Sequence, residues 1–202
     1  MCCGLIRKLS LFFVWIPLAV AGNVPEDVLP VTDLIKALQS GGYIIYMRHG
    51  LTDHTTRDMN DQNFDDCSRQ RNLSSKGRME VQQIGRRMNA LGIPIGDVSS
   101  SPYCRCKDTA RLAFGRLHVE PDLRFSITKD EQESKRLGER LYAMMMNSEA
   151  GSKNVVFVGH TSNLRDGLGI WPKPEAVIVV FQKQEDELVY KGMIPPDAWP
   201  DM

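Results

Sequence analysis

The chain is expected to fold as an α/β protein, a three-layer α/β/α sandwich with a mainly parallel central sheet, on three observations. Residues 43–47 and 154–158 are short, nearly continuous apolar runs of strand length, rich in β-branched and aromatic side chains, as strands covered on both faces require. Segments with apolar residues at helical spacing alternate with them, which implies helices on both faces of one sheet. The 202 residues are 42% hydrophobic, with 25 Lys+Arg against 25 Asp+Glu, enough for one domain with a proper core. Zero formal charge supplies no overall field for nucleic acid or anionic lipid, so a polyanion would need a local cationic cluster.

Taken in order, Arg7 and Lys8 precede an apolar run over 11–18, and small residues follow at Ala19 and Ala21. This pattern reads as an export signal, residues 1–21, cut after Ala21. An uncleaved anchor is the rival, but the run is shorter than the roughly 20 residues of a spanning helix and contains Pro17. Residues 22–202 are then one domain, periplasmic or secreted, with no stable membrane insertion once the signal is gone. Loss of the signal leaves Cys67, Cys104 and Cys106 in a compartment that permits oxidation. Cys104 and Cys106 are too close in sequence for a relaxed bridge to each other and lack zinc-site spacing, so the expectation is a bridge from Cys67 to Cys104 or Cys106, against buried free thiols.

Residues 32–38 carry apolar side chains at helical spacing and stop at Gly41 and Gly42, and the first buried strand, 43–47, ends at Arg48, His49 and Gly50. Residues 51–72 are polar and aperiodic, a loop or lid over whatever the strand presents. Ser74 caps a helix whose Val81, Ile84, Met88 and Leu91 recur at helical spacing before Gly92. Val98, Ser99 and Ser100 form a short strand; Ser101 and Pro102 open a helix to about Phe114, with Gly115 as its stop. Val119 begins a weak third strand, and 130–146 is an amphipathic helix in which Met144, Met145 and Met146 fill the core. The second buried strand, 154–158, ends in Gly159 and His160, and 176–181 with 188–194 form a closing hairpin around a charged turn at 183–187.

Ligands in such sheets bind beyond the carboxyl ends of the strands, and two of those ends carry histidine. An imidazole held in one tautomer beside glycine can attack phosphorus, with guanidinium groups to balance the phosphoryl charge and no need of a metal. Arg48 supplies one guanidinium and Arg105, near the start of a helix, a second. His160 alone would more often be a packed core histidine, and its pairing with His49 reverses that reading. His54 and His118 read as ordinary surface residues. Arg57, Arg69 and Arg71 read as surface charges, one of which could touch a second anionic group of a substrate. Basic residues show no aromatic interleaving, and no P-loop or dinucleotide fingerprint is present, so no nucleic acid partner is expected.

Arg48-His49-Gly50 with Thr52, Leu73-Ser74-Ser75-Lys76-Gly77, Ser101-Pro102-Tyr103-Cys104-Arg105 with Thr109-Ala110, and Val158-Gly159-His160 resemble the ordered motifs of the histidine phosphatase superfamily, over about 43–164. The resemblance implies a histidine phosphatase-like fold and a cofactor-free phosphatase acting on a small phosphorylated substrate. In that reading His49 is transiently phosphorylated, Arg48, Arg105 and His160 grip the phosphoryl oxygens, and Thr52 and Ser162 add hydroxyl donors. Many members carry a carboxylic acid a couple of residues after the leucine of the third strand; here Leu123 and Arg124 are followed by Phe125, which cannot donate a proton. Asp53 is the first substitute and Asp130 or Glu131 the second. Three alternatives stand beside this reading: a phosphate-binding or interaction protein of the same fold, a phosphohistidine-protein phosphatase, and a mutase, which the short chain and export signal disfavour. The sequence leaves the oligomeric state open.

Overall fold

The structure, a computed structural model, describes residues 28–59, 63–126 and 130–201. The export-signal reading of residues 1–21 therefore lies outside the described residues. Six strands form one sheet: β1 (Ile44–Arg48), β2 (Ile95–Ser100), β3 (His118–Val119), β4 (Asn154–Gly159), β5 (Ile178–Gln184) and β6 (Glu187–Ile194), in the order β3-β2-β4-β1-β5-β6. Strands β3, β2, β4 and β1 are mutually parallel, while β5 and β6 close the other edge as an antiparallel hairpin. Among the described residues five α-helices complete the fold: α1 (Val31–Ser40), α2 (Ser75–Ala90), α3 (Cys104–Phe114), α4 (Glu131–Asn147) and α5 (Thr161–Leu168).

Strand periodicity builds the three layers. Ile45, Met47, Val156, Val158, Ile178 and Val180 point to one side, into a core completed by α1, α2 and α3. Their neighbours Ile44, Tyr46, Val155, Phe157, Val179 and Phe181 point to the other, where Leu141 and Met145 of α4 and Leu164 of α5 meet them. Helices α4 and α5 cross closely because Gly138 faces the backbone of Asp166 and Gly167, where any Cβ would collide. Buried Asn154 locks the start of β4: its amide donates to the carbonyls of Leu38 and Pro94, and its Oδ1 accepts from Tyr43 N. Among the described residues no helix is long and apolar enough to cross a membrane.

Most element bounds differ from the sequence expectation by a residue or two, and three differences have physical causes. The strand expected at 98–100 begins at Ile95, because Gly96 and Asp97 carry no hydrophobic signal and the register with β4 shifts between Ile95 and Val98. The hairpin turn is tighter than 183–187, since Lys183, Gln184 and Glu187 stay paired in strands that run past the core into solvent. Helix α5 had no expectation at all; it is eight residues long with one fully buried apolar side chain, Leu164, too little for a period to register.

Candidate active site

Strands β1 and β4 are parallel neighbours with Arg48 opposite Gly159, so the next residues of both chains, His49 and His160, emerge together at the carboxyl end of the sheet. Their ring centroids are 5.4 Å apart in an edge contact, and both rings are buried. Gly159 is required there, since a Cβ would strike the Tyr46 hydroxyl, which donates to the His160 carbonyl at 2.8 Å.

Hydrogen bonds fix each tautomer. Nδ1 of His49 lies 3.0 Å from the Gly50 carbonyl oxygen, which can only accept, so Nδ1 carries the proton and Nε2 keeps its lone pair. The His160 ring is set the other way: Arg105 can only donate to its Nδ1 at 3.4 Å, leaving Nε2–H to donate to Ser101 Oγ at 2.9 Å. Burial, reinforced by the nearby Arg105 charge, pushes both histidines well below the usual imidazole range and keeps them neutral.

Arg105, whose side chain is entirely buried on the first turn of α3, donates to Asp58 Oδ1 at 2.8 Å and to the Arg71 carbonyl at 3.3 Å. Arg48 donates to Glu175 Oε1 and to the Pro172 carbonyl, both at 3.3 Å. Arg71 stands close enough that its charge acts on Arg48, His49 and His160. The Nε–H groups of all three arginines are buried without a hydrogen-bond partner among the described residues. Buried donors are almost always satisfied, so three unsatisfied ones around two histidines mark a place for an acceptor-rich anion. Three guanidinium cations against the carboxylates of Asp58 and Glu175 leave a net positive charge there.

Glu175 is the residue that sequence reasoning missed. It precedes β5, is buried, and accepts from Thr52 N at 3.1 Å, Thr52 Oγ1 at 3.0 Å and Arg48; its Oε1 lies 3.9 Å from His49 Nδ1. His54, expected as plain surface, has Nε2 3.4 Å from Glu175 Oε2 and Nδ1 3.4 Å from Arg71. Arg71, expected at the surface, belongs to the cluster; its place beside the Leu73-Ser74 motif was the available signal. The surroundings of Glu175 in a proline-rich, aperiodic stretch gave none.

Several expected residues stand apart from the roles assigned to them. Asp53 is exposed, and its Oδ1 accepts from Thr55 N at 2.9 Å and Thr55 Oγ1 at 2.6 Å, bonds that hold its carboxyl below the usual range. A proton donor needs the opposite environment, so Asp53 does not suit the acid role expected of it. Asp130 caps α4 through Glu133 N at 2.7 Å, and Glu131 is exposed. The Thr52 hydroxyl is directed to Glu175, and buried Ser162 Oγ accepts from Ser126 N at 3.3 Å. His160 presents no free N–H: both ring nitrogens are engaged, one of them in orienting Arg105.

The bridge from Cys67 runs to Cys104, with sulfurs 2.00 Å apart, and ties the 51–72 loop to the helix that carries Arg105. Cys106 is free and buried, its thiol pushed up to about 12 by burial. The same loop is fastened by Gln70 Oε1, which accepts from Cys104 N at 2.9 Å, and by Lys107, which donates to the Phe64 carbonyl at 2.9 Å. Among the described residues no group of three or more His, Cys, Asp or Glu side chains is arranged to hold a metal ion.

The family model described as the histidine phosphatase superfamily (branch 1) matches residues 44–130. No curated protein matches the sequence. Among solved structures, the chain is similar to the protein histidine phosphatase SixA complexed with tungstate, at 18% identity and TM-score 0.56, covering 77% of this chain and 97% of that one. It is also similar to a mutant phosphoserine phosphatase from Entamoeba histolytica in complex with phosphoserine, at 13% identity and TM-score 0.58, with 77% and 98% covered. The ecdysone phosphate phosphatase from Bombix mori in complex with tungstate gives 17% identity and TM-score 0.55, with 79% and 94% covered. At such identities the likeness speaks for the fold.

Proposed function

We propose, from the premise that this chain belongs to the histidine phosphatase superfamily, that it hydrolyses a phosphoryl ester through a phosphohistidine formed on His49. The observation that carries this reading is the meeting of His49, its Nε2 lone pair available, with three guanidinium groups whose buried Nε–H donors have no acceptor among the described residues. Nε2 attacks phosphorus, forming an N–P bond as the P–O bond to the leaving group breaks and the leaving oxygen takes the electron pair. Arg48, Arg71 and Arg105 face the oxygens of the transferring group, where the negative charge of the transition state is spread. Water then attacks phosphorus, the N–P bond breaks, and Nε2 regains its lone pair as inorganic phosphate leaves. Glu175 and His160 act behind this set, Glu175 on Arg48 and His160 on Arg105.

The neighbours with phosphoserine and tungstate fit a small phosphorylated substrate. We also propose that the protein works in an oxidising compartment outside the cytoplasm, a reading supported by the Cys67–Cys104 bridge. The test of the chemistry is labelling. Wild-type protein given acetyl [³²P]phosphate with chelator present should carry transient label on His49, and His49→Ala should carry none and lose roughly 10³-fold or more of its turnover. Absence of label from every donor tried, or strict dependence on added metal, would overturn the reading.

A further inference from the structure

We infer that the leaving group of the natural substrate is an aromatic ring, so that the substrate is an aryl phosphate; this rests on the phosphatase reading and deepens it. Phe64, Tyr103 and Phe125 come from three separate segments, the 51–72 loop, the residue before α3 and the stretch before α4. Their rings nevertheless form one chain of edge contacts, with centroids 5.1 Å apart for Phe64 and Tyr103 and 6.4 Å for Tyr103 and Phe125. Tyr103 and Phe125 both pack on His160, at 5.0 and 5.2 Å, and the Arg105 guanidinium lies 4.4 Å from the Tyr103 ring. All three rings are only half-buried, and Tyr103 and Phe125 join this apolar wall to the cationic cradle through their contacts with His160 and Arg105. A substrate anchored by its phosphoryl group lays whatever is attached to it against such a wall, and an aromatic ring gains from edge and offset contacts there.

The missing acid points the same way. Asp53 is held ionised by Thr55, Asp58 is paired with Arg105, and Glu175 is taken up by Thr52 and Arg48. With no such donor among the described residues, the leaving oxygen departs as an anion and collects its proton from water. A phenol, with a pKa of about 10 as in tyrosine, makes that departure far easier than an alcohol nearer the value of about 15.7 for water. The ring wall and the absent donor are separate observations, and both select the same class of ester.

The experiment compares kcat/KM for phenyl phosphate, butyl phosphate and acetyl phosphate in the oxidised full chain. Phenyl phosphate should exceed butyl phosphate by roughly 10²- to 10⁴-fold, the help a general acid would otherwise give. Acetyl phosphate has a good leaving group and no ring. Phe125→Ala should lower the phenyl-to-acetyl ratio by roughly three- to tenfold, and Phe125→Leu, which keeps apolar bulk and guards against misfolding, should lower it in the same direction. Equal rates on phenyl and butyl phosphate, or a ratio untouched in both variants, overturns the inference. If His49 labels from acetyl phosphate in those same preparations, the phosphatase reading survives that failure; if no donor labels it, the phosphatase reading itself has failed.

Discussion

His49 can attack phosphorus only with Nε2 unprotonated, and its surroundings ensure this: the Gly50 carbonyl claims the Nδ1 proton while burial and Arg105 disfavour the imidazolium. The same features tie stability to pH. Both His49 and His160 have folded pKa values below the unfolded value of about 6.5, so below that pH the unfolded chain binds more protons than the native one. Stability contributed by the neutral rings is full above about pH 6.5 and falls as acid is added, by up to roughly 1.4 kcal/mol per pH unit for each ring. Urea titrations at pH 7.5 and 5.5 should show the midpoint lower at 5.5, and His49→Asn should shrink that difference; a midpoint that rises on acidification would contradict the burial of neutral rings. A second prediction concerns Glu175. Glu175→Gln keeps the shape but weakens the charged hydrogen bond to Arg48, so kcat/KM should drop roughly tenfold while label still forms on His49. Phosphate-release kinetics check the first half and labelling the second. Glu175 also shows where reading one chain stops: the contacts that give it a role reach Thr52 and Arg48, 123 and 127 residues away, through the return of β5 against β1.

Among elements, the 51–72 loop does more than its composition suggests. Its ends are zipped by the Thr52–Leu73 bridge and by Ser74 N donating to the Leu51 carbonyl, and Gly77 lets α2 approach that carbonyl where a Cβ would collide. Between these ends Asp58 pairs with Arg105 and Cys67 bonds covalently to Cys104. Aperiodic polar sequence identified this stretch as a loop, but hydrogen bonds to residues in another element have no period, so its contribution to the Arg105 cradle was not legible. The helices were, because Ser74 accepting from Gly77 N and Asp130 accepting from Glu133 N are local bonds with local signatures. The double variant Cys67→Ser, Cys104→Ser should lose roughly 3–4 kcal/mol of stability, as expected for opening a covalent loop of this length. Chemical denaturation measures it; an unchanged midpoint would show that the noncovalent fastenings suffice. Cys106, sealed and protonated, should resist thiol reagents in the native protein and react only once it is unfolded.

For the molecule as a whole, the central strands follow from the apolar runs 43–47 and 154–158 that the sequence displays, and those runs place His49 and His160 just past strand ends. What no motif carried was how the histidines divide their bonding, since His160 faces Arg105 and Ser101 through side chains set by tertiary packing. The pairing of β1 with β4 has a further consequence for how the protein comes into being. Tyr46 touches His160 across 114 residues, and the strand that bears His160 is made after α1 to α4. A nascent polypeptide thus carries His49 and the three arginines long before the residues that hold two of them in place, His160 beside Arg105 and Glu175 beside Arg48, have been made. On the phosphatase reading proposed above, ribosome-arrested chains ending before residue 154 should take up no label, because β4, against which β1 pairs, and the residues behind Arg48 and Arg105 are still unmade.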